Sequence, residues 1–160
     1  LLGLSIMVRN LGKISLALWF VTLLIIGVYV IRGGAAHEVS GARNAIVLSQ
    51  GDRELVLEEM RAMLVATQQI TDGVARDDRQ QIITAAKAGG MGSAIDLDPN
   101  FLSKLPLEFK TLGFSMHSDM DAISKAAEKQ VPLPEISGML AATLTKCVAC
   151  HGAWELKIKE

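Results

Sequence analysis

The chain has 160 residues, half of them hydrophobic, with a formal net charge of −1 and only 4% aromatic residues. A near-neutral chain with no basic stripe and few rings to stack on bases argues against nucleic acid as a partner. Apolar and charged residues are nevertheless unevenly spread, and that unevenness divides the chain.

Residues 1–13 form a short N-terminal segment carrying Arg9 and Lys13; residues 14–31, ISLALWFVTLLIIGVYVI, are 18 uncharged and mostly apolar residues. As a helix this run spans roughly 27 Å, close to the hydrocarbon thickness of a bilayer. It is apolar all round, whereas a surface helix of a globular protein carries a stripe. A transmembrane anchor over 14–31 is therefore expected. The basic pair ahead of it predicts a cytoplasmic N-terminus, with the remainder facing the periplasm from a single-pass inner-membrane protein. The alternative is a cleaved signal peptide with processing near Gly33–Ala36. Against it, the apolar run is longer than a usual signal core, and Arg32 interrupts before any cleavage point.

Residues 32–50 read as a small-residue and polar linker; His37 lies beside the membrane and carries no assigned role. The exported part, 37–160, is 124 residues, one domain's length. All 17 acidic residues and 13 of the 16 basic ones lie in it, a net charge of about −4. That balance suits a basic partner only weakly and is the usual character of a solvated surface.

Residues 51–160 read as all-α, with no useful strand alternation. Asp52 is expected to cap a first helix running to about Gly73, with Leu57, Met60, Leu64 and Val74 at helical spacing. Asp77 is expected to cap a second, carrying Ile82, Ile83 and Ala86 and stopping at Gly89–Gly90. MGSAIDLDPN reads as a loop. Pro106 suits the first turn of a third helix, striped by Phe109, Leu112, Met116, Met120 and Ile123. Pro134 can open a fourth, with Ile136, Leu140, Leu144, Cys147, His151 and Trp154 on one face. Four amphipathic helices with short links predict an antiparallel four-helix bundle preceded by one transmembrane helix.

Both cysteines of the chain stand in TKCVACHGAW, residues 145–154. C-x-x-C-H is the attachment pattern of c-type haem. Two thiols three apart on a helix face one side and can bond the two vinyl groups of one porphyrin, leaving the next imidazole beneath the iron. A thioredoxin-like C-x-x-C expects a βαβ setting. Zinc needs about four ligands, and there is no second Cys/His cluster. One covalently attached haem c, held by Cys147, Cys150 and His151, is the expectation.

A C-x-x-C-H motif near the end of the last of four helices resembles the class II cytochromes c, the cytochrome c prime family. The resemblance covers roughly residues 50–156 and rests on that motif, the helix pattern and MRAMLVATQQITDG, which resembles the family's first helix. It implies a four-helix bundle with haem near the chain's end and His151 as the proximal ligand.

The residue on the iron's other face separates the functions. In an up-down bundle, His151 lies roughly 10 Å from the end of the last helix and Met60 about 12 Å into the first, so the two stand level. Met63 lies a turn deeper, where core filling is the expected role. Met116 and His117 are nearly level on the third helix and are rival ligands, His117 being expected in a structural or propionate-contacting role. The resemblance favours Met60. In the family's gas-binding members this position holds a non-ligating apolar residue, often leucine, and in its low-spin branch an iron-bound methionine. Trp154 matches an aromatic common in the family. Two residues depart from its pattern: Glu155 stands where a basic residue is common, and Val56 where an arginine often meets a propionate, with Arg53 or Arg61 as substitutes.

The expectation is a membrane-anchored monohaem electron carrier, not an enzyme, binding Met60 and His151 to iron and working between a redox donor and acceptor. The alternatives are a five-coordinate binder of nitric oxide or carbon monoxide, and a haem-bearing subunit of a larger membrane complex. A homodimer fits any of these.

Overall fold

The computed structural model describes residues 2–32, 37–40, 43–95 and 97–159. It is mostly helical. In chain order its elements are α1 (Leu2–Arg32), β1 (His37–Ser40), β2 (Arg43–Leu48), α2 (Gln50–Arg76), α3 (Arg79–Ala88), α4 (Met91–Ile95), α5 (Pro99–Lys104), α6 (Leu107–Glu128), α7 (Leu133–Ala153) and β3 (Trp154–Ile158).

Within α1, Gly12–Tyr29 is long and apolar enough to cross a membrane, with a mean hydropathy of 1.8. A signal sequence near an N-terminus meets the same criterion. Trp19, Phe20, Leu24 and their neighbours are exposed on this helix. Covering apolar surface is worth roughly 25 cal/mol per Å², so a lipid setting would relieve what water penalises. The linker residues 33–36 and 41–42, with the cleavage alternative at Ala36, lie outside the described residues.

α2 starts one turn earlier than Asp52 predicts. Ser49 is the N-cap: its Oγ accepts from the Asp52 backbone N–H at 3.1 Å and donates to Asp52 Oδ2 at 2.7 Å. Asp52 instead reaches α5, accepting from Lys104 Nζ at 2.8 and 3.1 Å. Asp77 ends α2 rather than beginning α3, adopting φ 56° with its N–H turned back to Gly73 and Val74, and Asp78 caps α3. The two helices approach closely there. A Cβ on Gly73 would lie 2.8 Å from Ile82 Cγ1, so only glycine fits. The segment read as a loop holds two short helices, α4 and α5, the second capped by Asp98 with Pro99 in its first turn.

The all-α expectation is corrected by a three-stranded sheet of order β1-β2-β3. β1 and β2 run antiparallel; β2 and β3 run parallel, in a register that sets Asn44 beside Trp154 and Leu48 beside Ile158. Part of the linker is therefore strand, and the last helix stops at Ala153. The physical cause is burial. Ile46 and Leu48 are buried against Val56, Phe101 and Leu105, and Leu156 packs at the edge of that cluster.

α2 packs on α3, α3 on α6 and α6 on α7, while α2 and α7 meet more sparsely. The buried residues form two clusters. The larger joins Met63, Ile70, Ile82, Met120, Ile123, Ile136 and Leu140. The smaller lies under the sheet around Ile46, Val56 and Phe101.

Candidate functional site

The stripe on α7 changes character along its length. Ile136 is 0% exposed and Leu140 6%, yet Leu144 is 40% and Val148 74%. Cys147 and Cys150 are half-buried free thiols, and His151 is exposed in the last turn. In line with Ile136 and Leu140, Thr143 is buried and Cys147 and Cys150 are only half-buried, while Leu144 and Val148 are exposed on the flank of that face, at the end that carries the motif. On α6 the matching stretch is also half-covered: Phe109, Leu112 and Met116 are half-buried, whereas Met120 and Ile123 are fully buried.

Two clefts open in this region. The first, of about 110 Å³, is bordered by Val56, Met60, Met63, Phe101, Phe109, Met116, His117 and Cys150. Its walls therefore come from both buried clusters. The second, of about 230 Å³, is bordered by Arg43, Arg53, Met60, Phe109, Cys150, His151, Trp154 and Glu155. Met60, Phe109 and Cys150 belong to both, so the two clefts adjoin.

Met60 and His151 therefore border one cleft, on α2 and α7. Met63 is buried in the larger cluster, the position a packing residue takes. Met116 lies with its sulfur 3.7 Å from Cys147 Sγ. His117 is buried, its Nδ1 bonded to the Gly89 carbonyl at 2.9 Å and its Nε2 3.7 Å from Glu59 Oε1. Arg53 borders the second cleft, whereas Arg61 is exposed and pairs with Glu54 at 3.6 Å.

Sequence reasoning missed Arg43. It arrives from β2, and its Nη2 donates to Glu155 Oε2 at 3.0 Å. Asn44 Nδ2 donates to the Ala153 carbonyl at 3.3 Å, tying the same strand to the end of α7. Phe109 and Trp154 meet edge to face, ring centroids 6.1 Å apart. The legible signal was the alternation in WELKI, residues 154–158, which is the period of a strand.

Burial pushes the thiols of both Cys147 and Cys150 up, and for Cys150 the neighbouring Cys147 adds to it. Reactive C-x-x-C pairs have the opposite property, a lowered pKa favoured at helix N-termini. These two stand at a helix C-terminus, where the dipole disfavours a thiolate. They are poorly built for dithiol exchange. Among the described residues, no three His, Cys, Asp or Glu side chains gather as a metal ion would need. Comparison with known family models, curated proteins and solved structures finds no match.

Proposed function

We propose that the chain is a membrane-anchored monohaem c-type cytochrome that carries electrons in the periplasm, with α2, α3, α6 and α7 forming an antiparallel four-helix bundle around one haem c. The observation that carries this reading is the divided core. Two apolar clusters stand apart, and Cys150 and His151 of the C-x-x-C-H motif border the clefts that adjoin both. A half-uncovered apolar stripe of this kind would be penalised in water without something flat and apolar to cover it.

The bundle direction is supported by contacts between successive helices. Gln81 reaches back to Gln69, Gly89 meets His117 and Lys87 meets Glu128, and Thr143 meets Asp119 while Lys146 meets Ser115. Between α3 and α6, and between α6 and α7, one number rises as the other falls.

The residues at the clefts suit the group. Cys147 and Cys150 would hold the porphyrin by thioethers, each thiol S–H adding across a vinyl double bond, a step needing no oxidant. His151 and Met60, which border one cleft, would bind the haem iron. When bound, haem supplies a one-electron Fe(III)/Fe(II) couple. The neutral imidazole and thioether of these two residues suit both oxidation states, and a methionine raises the potential. Phe101, Leu105 and Phe109 keep water from the Met60 side. The chain's partners in this reading are a redox donor and acceptor, with assembly into a larger membrane complex or a homodimer as the variants. α1 is the anchor and its basic residues keep its N-terminus cytoplasmic.

Optical spectra of the purified protein, oxidised and reduced, test this, together with a haem stain after denaturation. Haem is expected to stay with the polypeptide and to be low-spin and six-coordinate. Absence of retained haem overturns the reading. A high-spin spectrum transfers it to five-coordinate gas binding.

A further inference from the structure

Glu155 leaves one oxygen unaccounted for. Its Oε2 is held by Arg43 at 3.0 Å, but its Oε1 is buried and has no hydrogen-bond partner. Lys157 Nζ, at 3.8 Å, is too far to donate. A buried carboxylate oxygen without a donor is costly, of order 1–3 kcal/mol or more, and calls for an explanation. Glu155 and His151 border the same cleft. The parallel pairing of β2 with β3 places Ala45 beside Glu155 and brings Arg43 to it from 112 residues away. The carboxylate is thus fixed by one oxygen and free to accept on the other.

We propose that Glu155 is a positioning residue for His151, its Oε1 accepting the Nδ1–H of that imidazole when Nε2 binds iron. This rests on the cytochrome reading above and adds the residue that sets its potential. A metal-bound histidine needs an acceptor for its second ring N–H, and a carboxylate both fixes the ring plane and increases donation to the metal. The acceptor comes from a strand laid against the end of α7, not from α7 itself. Stronger donation favours Fe(III), so Glu155 lowers the potential that Met60 raises. His151 is otherwise exposed, and water is the competing acceptor.

The test uses the full-length holoprotein in detergent, with Glu155→Gln and Glu155→Ala as separate variants so that one reads if the other misfolds. Two quantities are read: the midpoint potential, and the iron–histidine stretching frequency of the reduced protein with and without the Glu155 substitution in a Met60→Leu background, where the iron is expected to be five-coordinate. The expected result is an upward shift of the potential together with a downward shift of the stretch. A raised potential with the stretch at its parent value means that the carboxylate acts only as a distant charge and overturns the proposal. So does the absence of either shift. A parent protein without covalent haem would overturn the cytochrome reading itself, which the haem stain reports independently.

Discussion

Replacing Met60 by leucine separates coordination from packing. Met60 is half-buried on α2 and borders both clefts, whereas Met63, one turn on, is 7% exposed inside the larger cluster. Methionine to leucine nearly conserves volume, so either substitution should cost below about 1.5 kcal/mol in stability. The better-packed Met63 site should lose at least as much as the cleft-facing one, because its neighbours Ile70, Ile82 and Met120 surround it on the core side. The electronic outcomes should diverge. Met60→Leu is expected to give five-coordinate high-spin iron, a lower potential and ready binding of carbon monoxide. Met63→Leu is expected to leave the spectrum unchanged. Denaturant titration gives the stability comparison, and absorption spectra with and without carbon monoxide give the coordination. A Met60→Leu protein with the parent's low-spin spectrum would refute the assignment and move the ligand to Met116, Met63 or His117.

Cys147→Ser combined with Cys150→Ser should abolish covalent haem and leave residues 37–160 poorly folded, read by haem stain and near-ultraviolet circular dichroism; retained haem would contradict the attachment. A reporter fused after Glu160 should be active only outside the cytoplasm, and extraction should require detergent. Release by osmotic shock would indicate cleavage instead. Gly73→Ala should destabilise by about 1–3 kcal/mol, because the added Cβ meets Ile82 Cγ1 and the Asp78 carbonyl. An unchanged melting temperature would show that the α2–α3 turn yields. Hydrogen bonds from Lys104 and then Ser49 lower the Asp52 pKa below its usual value. A carboxylate lowered on folding contributes stability fully above its unfolded pKa and loses it as pH falls through the folded value. Wild type should therefore weaken below about pH 4 by more than Asp52→Asn does, as acid titration of folding would show.

The helices were legible because their apolar residues repeat at helical spacing and because caps and prolines mark their ends. Gly89 stops α3, and Pro134 stands in the first turn of α7. The motif was legible because its chemistry is local: two thiols and an imidazole within five residues. The sheet was not. β2 reads RNAIVL, with Ala45 and Ile46 both buried, so it lacks alternation, and its pairing with β3 spans more than a hundred residues. Only the tertiary register makes RNAIVL a strand, whereas WELKI does alternate but over five residues only. Arg43 was missed for the same reason, since nothing near it in sequence is part of the site. The cap assignments slipped by one turn at Asp52 and one residue at Asp77 because several polar residues at each boundary could cap. Geometry then chose Ser49 and Asp78.

The sheet also fixes a distance. His37, the first residue of β1, follows Arg32, the last of α1, by five residues. Five extended residues reach at most about 18 Å. β1 pairs with β2 and β2 with β3, which begins where the C-x-x-C-H helix ends. With α1 in a bilayer, the C-x-x-C-H segment is therefore leashed close to the lipid headgroups by the same strands that bind its flank. A short leash raises the effective concentration of membrane-bound partners. For the electron carrier proposed above, such a leash favours transfer between neighbours in the plane of the membrane.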